Sequence, residues 1–187
     1  MELWVLLLII AVPLLIVILI YNRLVGLRNV ARNSFANIDA QLKKRYDLIP
    51  NLVASVQQYM KHEAGTLQNL TELRAKAVRG GLTDDQKVEV DNEIRSVMSG
   101  LMVNVENYPD LKASENFNQL QRSLNEIEEQ LAASRRSYNM SVTQYNTATE
   151  VFPTSIIANM FNFTQKELFR IEEQERQNVN VKDLFKS

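Results

Sequence analysis

"KKRYDLIPNLV", Lys43 to Val53, carries a proline in the middle of what otherwise reads as one amphipathic helix. From Leu24 the apolar positions step by three and four: Leu27, Ala31, Phe35, Ile38, Leu42, Tyr46, Ile49, Val53, Val56, Met60, Ala64, Leu67, Leu70 and Ala77. That is one helical face sustained for about seven heptads. Tyr46, Ile49 and Val53 keep the phase on both sides of Pro50, and a loop would usually reset it. The spacing therefore predicts that Pro50 bends a continuous helix by removing one backbone bond near Tyr46, with Asp47 and Asn51 answering the freed groups. The alternative is a tight junction with Asp47 as N-cap and Pro50 in the first turn. Both keep the two segments nearly collinear.

Outward from this stretch, Gly80-Gly81 is the clearest stop signal. Thr83-Asp84-Asp85-Gln86 follows it with capping-box spacing and acids in the first turn. A second helix is predicted from about Asp84 to Tyr108, with Val90, Ile94, Val97, Met98, Leu101 and Val105 inward. Asn107-Tyr108-Pro109-Asp110 reads as a turn or sharp kink. Phe117, Leu120, Leu124, Ile127, Leu131, Tyr138, Val142 and Tyr145 then define a third amphipathic helix of roughly 35 residues, ended by Phe152-Pro153. A short helix around Thr154 to Phe161 follows. The polar tail, 164–187, offers Val181, Leu184 and Phe185 as docking points. Three long helices joined by short turns, each apolar on one side, can bury those sides only against one another. The predicted fold is all-α, an antiparallel bundle over 23–163.

Ahead of it lies Leu3 to Ile20, "LWVLLLIIAVPLLIVILI", uncharged and apolar. As a helix it would extend about 27 Å, against a hydrocarbon core of about 30 Å. The start Met1-Glu2 and the exit Ile20-Tyr21-Asn22 lack the basic start and small-residue exit of a cleaved signal, so 1–22 reads as a retained transmembrane anchor. A membrane helix tolerates Pro13, with a modest kink, and Trp4 and Tyr21 fall at its two interfaces. Arg23, Arg28 and Arg32 follow the span with no acid before Asp39. By the positive-inside rule the amino terminus is outside and the helical domain cytoplasmic.

Composition bounds the chemistry. Lys and Arg number 21 against 22 Asp and Glu, a net charge of −1, so no global field draws nucleic acid. The chain has no cysteine, which removes disulfides, thiol catalysis and cysteine-ligated metals. The one histidine, His62, stands beside Glu63 without a second histidine, and reads as a solvated helix residue. Glu126, Glu128 and Glu129 lack the Glu-x-x-His pairs of di-iron bundles and read as a wet face. No phosphate-cradling loop or nucleophile elbow occurs, so no catalytic residue, cofactor or metal is assigned. What remains are polar residues near helix junctions: Arg45, Asp47, Pro50 and Asn51; Tyr108 and Pro109 with their polar neighbours; Arg135, Arg136, Tyr138, Asn139, Tyr145 and Asn146. They read as a structural clamp or interaction surface, and otherwise as an arginine-lined ligand site.

"YNRLV" after the span, "RYDLIPNLV", "ENYPDLKASENFNQLQRSLNEIE", "SRRSYN", Tyr145-Asn146 and Phe152-Pro153 together resemble the LemA family of bacterial membrane-anchored proteins. The resemblance covers Tyr21 to about Phe163. It implies a bundle of long helices behind one membrane helix in the bacterial inner membrane, with no established reaction. It also implies a link, in some bacteria, to a membrane zinc metalloprotease of the HtpX type, and relatives that shape internal membranes in magnetosome-forming cells. The expectation is a non-enzymatic scaffold whose partners are the lipid bilayer, further copies of itself and an HtpX-type protease. Self-assembly that shapes the membrane, or a helical enzyme using the arginines, are the alternatives.

Overall fold

The computed structural model of the protein describes residues 3–169, and among these every regular element is helical. The helices are α1 (Leu3–Gln57), α2 (Ala64–Val78), α3 (Asp84–Val105), α4 (Pro109–Lys112), α5 (Glu115–Glu150) and α6 (Thr154–Met160). The chain forms two compact units. One comprises 35–134; the other comprises 1–34 with 135–187, of which 3–34 and 135–169 are described. The docking points Val181, Leu184 and Phe185 lie outside the described residues.

In the 35–134 unit, α1 passes through Pro50 without interruption and stops at Gln57 instead. The N–H groups of Tyr59 and Met60 both donate to Val56 O, at 3.0 and 2.9 Å, and a single 3-10 turn, Lys61–Glu63, leads into α2. No glycine or proline marks this reversal. Its cause is burial: Met60 is fully enclosed, as are Leu52, Val56 and Leu70, so turning back lays the apolar stripe of α2 on that of α1. The single first helix expected as far as Gly80-Gly81 is therefore two helices. Leu52, one position before the expected Val53, takes the fully buried place after Pro50.

Gly80 and Gly81 have φ of +80° and +81°, the left-handed region that costs glycine nothing, and they close the α2–α3 turn. Thr83 caps α3 as its spacing predicts. Its hydroxyl accepts from Gln86 N at 3.3 Å and the Gln86 side chain accepts from Thr83 N at 3.0 Å. At the far end of α3 the last turn tightens, and Tyr108 N donates to Val105 O at 2.9 Å, taking the carbonyl that Pro109 cannot serve. Pro109 then opens α4 in its first turn.

Cross-helix pairs fix the directions. Lys87 reaches Asp39 (2.6 Å) and Arg45 reaches Asp91 (2.7 Å), so α3 runs parallel to α1. Lys76 faces Glu93 (4.0 Å), while Gly65 and Asn69 lie by Val103 and Val97, so α2 runs against α3. Arg95 faces Glu128 and Met102 lies by Gln121, so α5 also runs against α3. The unit is an up-down-up-down four-helix bundle, one helix more than expected.

The second unit holds the candidate membrane span and a smaller core. α1 is the one helix among the described residues long and apolar enough to cross a membrane, and Leu8, Ile9 and Leu19 are each about three-fifths exposed. Beyond the span, Leu24, Tyr145, Ala148, Ile157, Ala158 and Phe163 form a buried cluster with Val17 and Ile20 packed on it. Residues 163–169 follow α6 without regular secondary structure.

Candidate functional site

The polar residues separate into two constellations, one in each unit. In the bundle, Arg45 sits on the buried face of α1, one position before Tyr46, and is 5% exposed. Its Nη1 donates to Asp91 Oδ1 of α3 at 2.7 Å, and its Nη2 donates to Glu128 Oε2 of α5. Arg95 reaches the other Glu128 oxygen at 3.7 Å. Asp91 is fully buried. The guanidinium fork thus ties three helices at one level, with two arginines balanced by two carboxylates. A depression of about 340 Å³ lined by Arg95, Gln121, Asn125 and Glu128 opens above it.

At the next residue, the carbonyl of Tyr46 is the group that loses its partner to Pro50. It accepts from Arg74 Nε of α2 at 2.8 Å. Asp47 and Asn51, expected to answer the freed groups, are exposed, and an ionised Asp47 has no proton to give a carbonyl. Arg74 is the residue that does so.

At the α3–α4 corner, Tyr108 is half-buried and Pro109 exposed. Lys112 pairs with Glu106 at 2.5 Å and Asn118 Nδ2 donates to Lys112 O at 3.1 Å, so the polar side chains there close the turn on itself.

The second constellation is a ladder on α5. Tyr145 Oη donates to Thr164 O at 2.9 Å, and Tyr138 Oη donates to Glu167 O at 3.1 Å. Asn146 makes a two-way amide pair with Lys166, donating to its carbonyl at 2.8 Å and accepting from its N–H at 2.9 Å. Asn139 does the same with Phe169, at 3.0 and 2.8 Å. The Tyr-Asn dipeptide recurs after two helical turns, a step of about 10.5 Å along α5. Residues 164 and 166 meet the second Tyr-Asn pair and 167 and 169 the first, so the segment runs antiparallel to the helix. Every contact is to main chain, which suits asparagine because one amide both donates and accepts.

The ladder is closed at both ends by aromatic rings under arginines. Arg28 lies 5.1 Å from the Phe163 ring centroid and Arg135 lies 4.8 Å from that of Phe169, both rings being buried. Burial pushes the Tyr145 hydroxyl above the ordinary phenol range, opposed by the nearby positive charge of Arg28. At neutral pH it is therefore a neutral donor. Arg136 is exposed.

The sequence-nominated residues are thus brought together in part. Tyr138, Asn139, Tyr145 and Asn146 form one device, with Arg135 beside it, while Arg45 belongs to the other unit and a different network. Asp91, Glu128, Arg95 and Arg74 were missed. The signal for Asp91 was present: with Ile94, Met98 and Leu101 it continues the three-four spacing of the buried stripe of α3, and an acid there needs a buried cation. Arg74 likewise extends the stripe of Leu67 and Leu70. Glu128, read as wet face with Glu126 and Glu129, is only half-exposed and pairs with Arg45, whereas its two neighbours are exposed.

The sequence model of the LemA family matches residues 34–182. Protein LemA of Metamycoplasma hominis is 29% identical over 163 residues, 87% of this chain and 74% of that protein. Magnetosome protein MamQ of Magnetospirillum gryphiswaldense is 22% identical over 174 residues, 80% of this chain. Magnetosome protein MamQ 2 of Paramagnetospirillum magneticum is 21% identical over 175 residues. The matched region spans 64% of each of these two magnetosome proteins.

Proposed function

We propose, given that this chain belongs to the LemA family, that it is a non-enzymatic, single-span membrane protein whose helical part serves as an interaction module. In this reading it associates with further copies of itself and with a membrane protein partner. The observation that supports this is where its polar chemistry goes. Arg45 is held between Asp91 and Glu128, and both Tyr-Asn pairs are committed to the chain's own backbone. The enzymatic alternative needs an arginine free to take a ligand, and both terminal nitrogens of Arg45 already donate to carboxylates. Blue native electrophoresis and cross-linking of the detergent-extracted full chain test the reading. Species larger than the monomer are expected, and a strictly monomeric, partnerless protein contradicts it.

The family resemblance puts forward a membrane metalloprotease of the HtpX type as partner, and co-purification from native membranes checks this. Arg23, Arg28 and Arg32 favour an inner-membrane protein with the helical domain in the cytoplasm. Protease protection in spheroplasts tests that orientation: added trypsin should leave the domain intact until the membrane is opened. A second reading, self-assembly that shapes the membrane, is favoured by the likeness to magnetosome proteins. Electron microscopy of vesicles carrying the purified chain separates the two: altered curvature supports membrane shaping and unaltered vesicles remove it.

A further inference from the structure

Between Glu150 and Lys166 the chain carries no charge, and part of this stretch is uncovered by the described residues. α6 turns Ile157 and Ala158 inward onto Leu24, with Val17 and Ile20 packed against the same cluster. Its outer side leaves Phe152 81%, Met160 65% and Ile156 53% exposed. Asn162, at φ 55°, takes the left-handed position that ends the helix, and Phe163 N donates back to Ala158 O at 2.9 Å. That turn sends Phe163 into the core and leaves Phe161 against the edge of Tyr21, their centroids 4.9 Å apart.

Val17 and Ile20 belong to the apolar run Leu3–Ile20, so an element packed on them lies at the depth of the span's last turn. Water is the wrong solvent for three large apolar side chains at that depth. The headgroup–acyl boundary of the same bilayer is the right one, since it accepts Phe, Ile and Met while tolerating the polar backbone of a short helix end. Arg23 follows within one turn of Ile20 and is exposed, placed to meet lipid phosphates while its stem lies along apolar surface.

We propose that Phe152 and α6 form a second membrane contact, a short wedge inserted into the headgroup–acyl boundary beside the span, with Phe152, Ile156 and Met160 as the inserted side chains. The proposal rests on the reading of Leu3–Ile20 as a membrane helix. Lipid is favoured over a second copy of the chain because the surface is continuous with the span and carries no charge to set a protein register, while the exposed amides of Asn159 and Asn162 suit the polar side of the headgroup–acyl boundary.

The test uses the full chain reconstituted into phosphatidylcholine–phosphatidylglycerol vesicles, with acyl chains brominated or not. The chain's one tryptophan, Trp4, reports on the span itself. In the Trp4→Phe background, Phe152→Trp and, separately, Met160→Trp report on the wedge, so that misfolding of one variant does not remove the test. Brominated lipid is expected to quench both wedge reporters by about two-fold or more, with blue-shifted emission. Quenching of Trp4 with no quenching at either wedge position overturns the proposal alone. Blue-shifted but unquenched emission also overturns it, because it places protein on the surface in place of lipid. An unquenched Trp4 overturns the membrane-helix reading beneath it.

Discussion

The two units solve the same problem, a polar group that must leave water, with opposite chemistry. In the 35–134 bundle apolar stripes meet on every side, and the buried polar residue is an arginine held by two carboxylates. In the other unit the partner is not a helix but the main chain of 164–169, and the groups that hold it are neutral hydroxyls and amides. An ion pair fixes three helices at one level but leaves a large penalty if it is broken. An amide pair fixes an irregular strand residue by residue, and each rung costs only its own hydrogen bonds when lost. The buried polar contacts of the first unit are thus concentrated at one point, and those of the second are distributed along a ladder.

The most severe way to break this contrast is Asp91→Ala. It leaves the buried Arg45 guanidinium without its fully enclosed partner and should destabilise the bundle by about 3–5 kcal/mol. Chemical denaturation of the full chain in nanodiscs, followed by circular dichroism, measures this. Arg45→Met combined with Asp91→Leu should recover most of the loss. A double variant as unstable as the single would mean that packing, not the unpaired charge, sets the cost.

Next in size is the ladder. Asn146→Ala removes both bonds to Lys166 and should cost about 1–3 kcal/mol in local stability. Trypsin cleavage after Lys166 should then speed up by at least about ten-fold, with Asn139→Ala acting less at that bond, since its rung lies beyond it. Equal cleavage of wild type and variant would show that the rung does not hold the segment.

Arg74→Ala should cost about 1–2 kcal/mol by leaving the Tyr46 carbonyl without its charged donor. Pro50→Ala restores the N–H that the same carbonyl lacks, so the cost of Arg74→Ala should shrink in that background. A double-mutant cycle reads the coupling directly. Strict additivity would separate Arg74 from the proline.

The smallest effect is in pH. The folded Tyr145 hydroxyl titrates above its unfolded value of 10.0, so the stability it contributes is fully present below about pH 10. It is lost as pH rises through the higher folded value, where the phenolate can no longer donate to Thr164. Tyr145→Phe should remove that alkaline component and leave the neutral-pH fold intact, as read by urea denaturation of the full chain in nanodiscs at neutral and alkaline pH.

Much of this was legible in the sequence, and what was not has a common physical cause. Helix faces, the Gly80-Gly81 stop, the Thr83–Gln86 capping box and α6 all follow from local rules acting over a few residues. Passage of α1 through Pro50 followed from the unbroken phase. The reversal at Gln57–Met60 did not, because its residues are ordinary helix formers and only the burial of Met60 against a returning α2 determines it. In the candidate site, Tyr138-Asn139 and Tyr145-Asn146 were nominated as polar residues near a junction. Their heptad spacing was visible, but their partner was not: 164–169 has no periodicity, and its backbone, not its side chains, is what they hold. The Arg45 network is half legible: Arg45 stands out as a polar residue near a helix junction, but its place on the buried face and its partner Asp91 do not.

The central claim is that the polar side chains of α5 are fastened to the backbone of 164–169. Hydrogen–deuterium exchange of the full chain in nanodiscs tests this most directly at the amides of Lys166 and Phe169, which donate to Asn146 and Asn139. Both should be strongly protected, each losing its protection when its own asparagine becomes alanine while the bundle amides of α3 are unchanged. Exchange at the rate of an unstructured peptide in the unmodified protein would contradict the account.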